Sequence, residues 1–254
     1  YGLLALGWTG EARDWARHQS AYLLLAGLAT PLVVSVHSVV SLDFAIGNTP
    51  GYHSTIFPPY FVSGALFSGF AMVLTIAIPL RRAFDLHDFI TATHLDHAAK
   101  VMLATGLLVA YGYFAEIFTA FASADEFEIA MTTDRFVGAY APVYWSMLAC
   151  NVLAPQVLWW RRARRGAALL FVLSLVVNAG MWMERVTIVV QSLHRDFMPS
   201  AWGIFVPTLW DWIFLAGSLA TFAWLFLVFL RLLPAISIAE MRLLVRETAA
   251  KVDQ

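Results

Sequence analysis

Six long apolar runs divide this chain of 254 residues, and they limit its fold more than any other feature. A run of roughly 20 apolar residues, wound as a helix, crosses a bilayer core of about 30 Å. The runs fall at residues 20–42, 59–80, 97–122, 138–160, 168–192 and 208–232. The expected fold is all-α, a polytopic transmembrane helix bundle with six spans. Composition supports it, since 60% of residues are hydrophobic and only 13% charged, where a soluble domain carries about 25% charge. Ten Trp, eight Tyr and nineteen Phe suit aromatic belts at the two lipid interfaces.

The opening stretch YGLLALGWTGEARDWARH is too short and too charged to cross, so residues 1–19 read as an interfacial segment with Trp8 and Trp15 at headgroup level. The tail, residues 233–254, reads as an amphipathic helix on the membrane surface. The chain opens on Tyr1, and no basic-then-apolar leader is visible. The expectation is a piece of a longer subunit. Pro31 lies mid-run and predicts a kink, because it frees a carbonyl one turn back. Pro58 and Pro59 fit the first turn of the second span. Gly64, Ser68 and Gly69 give that span a small-residue face suited to close packing.

Charge sets the orientation. Arg13 and Arg17, Arg81, Arg82 and Lys100, the RRARR stretch Arg161–Arg165, and Arg231, Arg242, Arg246 and Lys251 all fall on one side. The other side has no Lys or Arg in residues 43–58 and only Arg135 and Arg195 elsewhere. By the positive-inside rule both ends are cytoplasmic, and the connections 43–58, 123–137 and 193–207 face outward.

Ionisable residues inside apolar spans are expensive, so each is a functional hypothesis by default. Asp43 ends the first span, and His37 lies deeper by about 9 Å. Their separation turns through roughly 600°, so they do not share a helix face. They serve one site only if the helix ends or bends between them, or if a ligand sits over its terminus. Glu116 is in the outer half of the third span, Glu184 and Arg185 just outside the middle of the fifth, and Asp211 starts the sixth. His94, His97 and Lys100 cluster at an inner helix start. Plainer readings stand beside these. Asp43 is then an interfacial acid, His37 a packed histidine, and Glu184–Arg185 a buried ion pair, although adjacent residues point about 100° apart and each would need its own partner. Glu116 favours a proton relay, having no Lys or Arg within a turn in its own span. His94, His97 and Lys100 read as solvated, and Ser174, Asn178 and Thr187 as helix-packing polar residues.

Quinol oxidation is a chemistry that needs such residues. A quinol gives up two protons with its two electrons. Histidine can take one, and a carboxylate in a low-dielectric setting the other. The pattern alone does not separate this from a transporter. The only cysteine, Cys150, rules out a Cys-ligated iron–sulfur cluster or structural zinc held by this chain alone, and a disulfide within it.

Four segments carry a resemblance: SVHSVVSLDFAIGNTPGYHSTIFPPYFVSGALFSGFAM at 35–72, CNVLAPQVLWW at 150–160, NAGMWMERVTIVVQSLHRDFMPSAW at 178–202 and GWTG at 7–10. They resemble the membrane subunit of the NrfD/polysulphide-reductase family found in bacterial alternative complex III. The resemblance implies ten helices, of which these are the last six. Residues 20–42 would be the last helix of a first four-helix bundle, 59–192 a second four-helix bundle, and 208–232 the final transmembrane helix. It implies a quinol site at Asp43, which matches an acid of the family's site, with His37 in the same motif. It implies a proton route through Glu116, Glu184, Arg185 and His97. The substrate would be menaquinol or ubiquinol, with no haem or cluster on this chain. The implied partners are a peripheral periplasmic iron–sulfur subunit, multihaem cytochrome c subunits, a second homologous membrane subunit and the lipid bilayer of a bacterial inner membrane, with no nucleic acid. Two further alternatives stay open: a structural assembly anchor, and a cytochrome b-like haem anchor, for which the depths of His37, His18, His94 and His97 match poorly.

Overall fold

The computed structural model describes residues 7–52, 54–195, 197–233, 236–239, 241–242 and 245. Among the described residues all regular structure is helical. Among the described residues five helices are long and apolar enough to cross a membrane, and a sixth crossing is reached if one pair bent by 79° counts as a single span. The chain divides into two compact units, Thr30–Phe205 and the two flanks Tyr1–Ala29 with Val206–Gln254.

The first helix, α1 (Ala12–Ala45), has 34 residues. That makes a rod of roughly 50 Å against a bilayer core of about 30 Å. A rod of that length, centred on the core, would extend about 10 Å past each face. The interfacial segment expected at 1–19 is continuous with the span from Ala12 onward, because nothing between Arg13 and Ser20 breaks a helix. The helix also runs unbroken through Pro31.

In the flanking unit, Asp14 accepts hydrogen bonds from the Thr9 amide and hydroxyl, fixing the entry to α1. Trp8, Trp15 and His18 pack edge to face, with the two indoles 5.0 Å apart. The Arg242 guanidinium lies 4.5 Å over Trp15. The last long helix of this unit, Leu209–Leu232, is capped reciprocally by Thr208 and Asp211 and has no buried residue. Most of the expected tail helix, including Arg246 and Lys251, lies outside the described residues.

The unit Thr30–Phe205 holds the core. It contains α2 (Phe57–Ala83), α3 (Ala92–Ala122), α4 (Glu126–Val137), α5 (Ala141–Leu148), α6 (Arg161–Arg165), α7 (Ala167–Arg185) and α8 (Ser192–His194). A π-helical turn, Ala149–Leu153, and a 3₁₀ turn, Ala154–Trp159, extend α5 downward. A second π-helical turn, Val186–Gln191, joins α7 to α8. Four rods (α2, α3, the α5 segment and the α7 segment) pack around Phe57, Phe67, Leu74, Met102, Val109, Met147, Leu158 and Leu170, all essentially without solvent contact. We call the end carrying the 46–56 connection the upper end and the end carrying α6 the lower end.

Each rod starts and stops for local reasons. Pro58 and Pro59 open α2, and Arg81 and Arg82 sit in its last turn, where the helix dipole favours cations. Thr91 and His94 cap α3 reciprocally. Asp125 caps α4 by accepting from the Phe127 and Glu128 amides. At the lower end Arg164 donates to Asp96 and to the carbonyls of Leu158 and Trp159 at 2.7–2.9 Å, so one guanidinium ties α3 to the end of the α5 rod. Lys100 adds a second contact to Asp96 at 2.7 Å.

Of the small-residue face expected on α2, Gly64 meets a neighbouring helix, against Met181, while Gly69 faces open space. The tightest approach between different rods is at Gly180, where a methyl group would fall 2.2 Å from Asn151 Oδ1 and 2.6 Å from Cys150 Cβ. Gly180→Ala is expected to destabilise the bundle by about 1–3 kcal/mol, the usual cost of overpacking. A lowered midpoint of thermal unfolding in detergent is the readout, and an unchanged midpoint would show that the α5 rod yields.

The α1 residues from Thr30 on belong to this unit, and they touch the bundle only near the upper end. Ser41 is the only buried residue of α1, and Phe44 and Ala45 pack on the core. His37 and Ser38 are half-buried, and residues 30–36 are exposed all round. A helix lying along a bundle would bury one stripe throughout its length. Residues 30–36 of α1 bury no such stripe.

Candidate functional site

A line of buried polar groups runs up the inside of the four-rod bundle. Near the lower half, Thr75 Oγ1 is 2.9 Å from Ser174 Oγ and accepts from Asn178 Nδ2 at 3.0 Å. Higher, Glu184 is 1% exposed and accepts a hydrogen bond from the Tyr113 hydroxyl, which itself accepts from Asn151 Nδ2 at 2.8 Å. At the upper end, Arg135 donates to Glu116 at 2.7 Å, and Asp134 receives both Gln191 at 3.1 Å and Arg195 at 2.9 Å. Along α7 and its extension, Ser174 to Gln191 is a rise of roughly 25 Å.

The two π-helical turns position the middle of this line. Asn151 lies inside one, and Glu184 and Arg185 directly precede the other. A π turn inserts a residue into the helix and redirects the side chains around it, and such turns concentrate at functional sites. Gly180 gives Asn151 the room to reach inward.

Arg185 reaches back round its helix to Glu184, with Nη2 3.1 Å from Oε1. The expectation that adjacent residues need separate partners is therefore corrected: the long arginine side chain spans the 100° between them. Glu184 gains Tyr113 as well. Arg185 also lies over the Phe61 ring at 4.6 Å, and its side chain remains 41% exposed.

Glu116 has a cationic partner that its own span did not reveal. Arg135 arrives from α4, is 3% exposed, and closes the pair at 2.7 Å. Gly51 sits directly above it with φ +83°, a conformation that favours glycine, and a Cβ there would meet Arg135 Nη2 at 2.8 Å. The Gly51 amide donates to Glu128 at 3.1 Å, which pins the connection over the pair. Beside it lies a cavity of about 340 Å³ lined by Ala45, Gly51, Ser54, Glu116, Asp125 and Glu128 among others. This cavity connects Glu116 to the upper surface.

His37 and Asp43 are not brought onto one face. The helix neither ends nor breaks between them, so of the conditions set by the sequence only the ligand over the terminus remains, with α1 ending two residues past Asp43. Asp43 is exposed and makes no hydrogen bond or ion pair within the described residues. His37 Nδ1 is 2.8 Å from the Val33 carbonyl. A carbonyl only accepts, so Nδ1 carries the proton and Nε2 of the neutral ring holds a free lone pair. His97 is exposed and joins none of the polar pairs, whereas its neighbour Asp96 is the buried lower anchor.

Several members of this constellation were missed from sequence. Tyr113 lies one turn before Glu116 on α3 and was readable by that spacing. Arg135 and Arg195 were read only as the two cations of the outward connections, and both are buried in ion pairs. Asn151 depends on a π turn, which leaves no composition signal.

A model of the family described as "Polysulphide reductase, NrfD" matches residues 3–195. The chain belongs to the NrfD family. No curated protein matches it. NrfD proteins are membrane subunits of quinone-linked redox complexes, interact with quinones and typically partner with iron–sulfur subunits. The matched residues take in α1 to α8 and every polar pair of the bundle, while the helix Leu209–Leu232 lies beyond them. NrfD membership thus covers His37, Asp43, Glu116, Glu184 and Arg185 together.

Proposed function

We propose that this chain is the quinol-oxidising membrane subunit of a respiratory quinol:electron-acceptor oxidoreductase of the alternative complex III type. Quinol binds against α1 near the upper end, between His37 and Asp43. One hydroxyl gives its proton to His37 Nε2, and Asp43 receives the other at the helix terminus. The two electrons pass to an iron–sulfur cluster on a peripheral subunit seated at the upper end, and onward to multihaem cytochrome c subunits. A second homologous membrane subunit completes the complex. The upper end is periplasmic and both chain ends are cytoplasmic, in a bacterial inner membrane. In this reading residues 20–42 close a first helix bundle, and 59–192 form a second that carries protons through Glu116, Glu184 and Arg185.

One observation carries this reading. The hydrogen bond between His37 Nδ1 and the Val33 carbonyl leaves Nε2 of this half-buried histidine without a partner among the described residues, inside an apolar span. A transporter or scaffold gives that nitrogen no task, whereas a lipid-soluble donor of hydrogen does. The charge asymmetry supports the orientation independently, because Arg135 and Arg195, the upper side's described cations in the connections, are consumed in buried pairs.

Asp43→Asn tests the site in the assembled complex. Quinol oxidation at subsaturating quinol is expected to fall by about a hundredfold or more, the usual loss when a positioned proton acceptor is removed. Unchanged turnover together with unchanged quinol affinity would take Asp43 out of the site.

A further inference from the structure

We propose that the lower end of the bundle carries a docking surface for anionic phospholipid headgroups, made by Arg161, Arg162 and Arg165 of α6 with Trp159 and Trp160 beside them. The inference is independent of the quinol site and of which side of the membrane the lower end faces.

The first argument is charge left unanswered. Of the five residues of α6, all but Ala163 are arginines. Only Arg164 turns inward, to Asp96 and to the carbonyls of Leu158 and Trp159. Lys100 also reaches Asp96, so that carboxylate is already shared between two cations. Arg161, Arg162 and Arg165 are exposed, and among the described residues none of them has a carboxylate partner or a ring to stack on. Asp85 and Asp88, the acids of the neighbouring connection, are exposed and pair with none of the three. Arg161 and Arg165 stand four residues apart, where like charges on a helix repel. An anion on this side of α6 removes that repulsion.

The second argument is that the cluster is held in place. Ala163 is buried, and the Arg164 guanidinium bonds both to α3 and to the end of the α5 rod. These two residues fix which way the short helix faces. At about 100° per residue, Arg161, Arg165 and Arg162 fall within one arc of roughly 100°, and Ala163 and Arg164 lie outside it. The three free guanidinium groups are therefore gathered on one side, away from the bundle, before any ligand arrives.

The third argument selects lipid as the anion. Trp159 and Trp160 directly precede α6 and are 60% and 67% exposed. The Trp159 indole N–H is spent on Gln156 at 2.9 Å, which leaves an apolar ring to the surroundings. Exposed indoles at the end of an apolar rod settle at headgroup level. The span Ala167–His194 starts two residues after Arg165 and has 28 residues. That is roughly 42 Å against a core of about 30 Å, so a span centred on the core begins outside it, at headgroup depth. Guanidinium meets phosphate through paired hydrogen bonds, and basic residues at this depth are drawn to anionic lipid. A phospholipid offers acyl chains to the two indoles and a phosphate to the arginines, whereas a soluble acidic segment offers only the anion.

The test uses the assembled complex in detergent micelles doped with phosphatidylglycerol or with phosphatidylcholine, and counts retained lipid by native mass spectrometry. The parent is expected to hold phosphatidylglycerol about tenfold or more tightly than phosphatidylcholine, and equal retention would overturn the proposal. The triple variant Arg161→Gln/Arg162→Gln/Arg165→Gln is expected to weaken phosphatidylglycerol binding about a hundredfold, roughly fivefold for each arginine. It leaves Ala163 and Arg164 in place, so an unchanged thermal midpoint in lipid-free micelles is expected. Arg165→Gln alone, with a loss of about fivefold, carries the test if the triple variant does not assemble. Full retention by either variant would overturn the proposal. So would an equal loss in Arg82→Gln, which removes an exposed cation from the end of α2, because the attraction would then be a diffuse field. Displacement of the lipid by millimolar inorganic phosphate, beyond that by chloride at equal ionic strength, would make this a phosphate site and exclude the lipid. Tighter binding of soluble polyglutamate than of phosphatidylglycerol would assign the surface to an acidic protein instead.

Discussion

Arg135→Met is expected to cost the folded bundle about 3–5 kcal/mol, because it strands Glu116 without the cation that closes it. The pair is made at 2.7 Å, with the arginine side chain 4% and the glutamate side chain 17% exposed. Removing both charges is a different matter. Glu116→Gln combined with Arg135→Met leaves no uncompensated ion, and the double variant is expected to recover most of the loss. The measurement is the thermal midpoint of the purified complex in detergent, compared across the two single variants and the double one. A single variant as stable as the parent would mean that water in the adjoining cavity already solvates Glu116. This prediction depends on geometry alone and holds whatever the complex does.

The second large effect concerns protons. Glu184→Gln keeps the shape of the side chain and an acceptor for Tyr113, but it removes the group that can carry a proton. In vesicles containing the complex, the ratio of protons moved per electron is expected to drop to that produced by quinol oxidation alone. Glu116→Gln is expected to do the same, since that residue joins the line to the upper cavity. The ratio is read with an internal pH dye against the rate of acceptor reduction. A normal ratio in both variants would reduce these acids to packing partners and leave quinol oxidation without translocation. The rungs themselves make a relay chemically reasonable, because a carboxylate, a phenol and an amide in contact can exchange donor and acceptor roles.

The all-helical fold, the membrane setting and the candidate ionisable residues were legible in the sequence because each depends on local properties, whereas the break that bends the 138–160 run against α4 was not. A run of apolar residues is a helix in lipid whatever surrounds it, and a charge within such a run is conspicuous. Glu116, Glu184 and Arg185 were all found this way. Partnership was not legible. Arg135 and Arg195 sit in stretches that read as loops, and their burial follows from α4 folding at 79° to the α5 segment that follows it. The adjacency of Glu184 and Arg185 seemed to point them apart, because a 100° step describes Cβ directions and ignores the reach of a long side chain. His97 and Asp96 are neighbours in sequence, and only packing decided that the acid turns inward.

Residues alone determined that this chain crosses a membrane as helices, which end of each span carries positive charge, and which few ionisable groups enter the lipid-facing runs. Hydropathy and charge act residue by residue, so no fold is needed to read them. The tertiary structure decided that Asn151 and Glu184 both reach the Tyr113 hydroxyl beside two π turns, that Arg135 closes on Glu116, and that α1 packs on the core at Phe44 and Ala45. Those facts depend on which faces of different rods meet, and contact between distant segments is set by packing of the whole bundle.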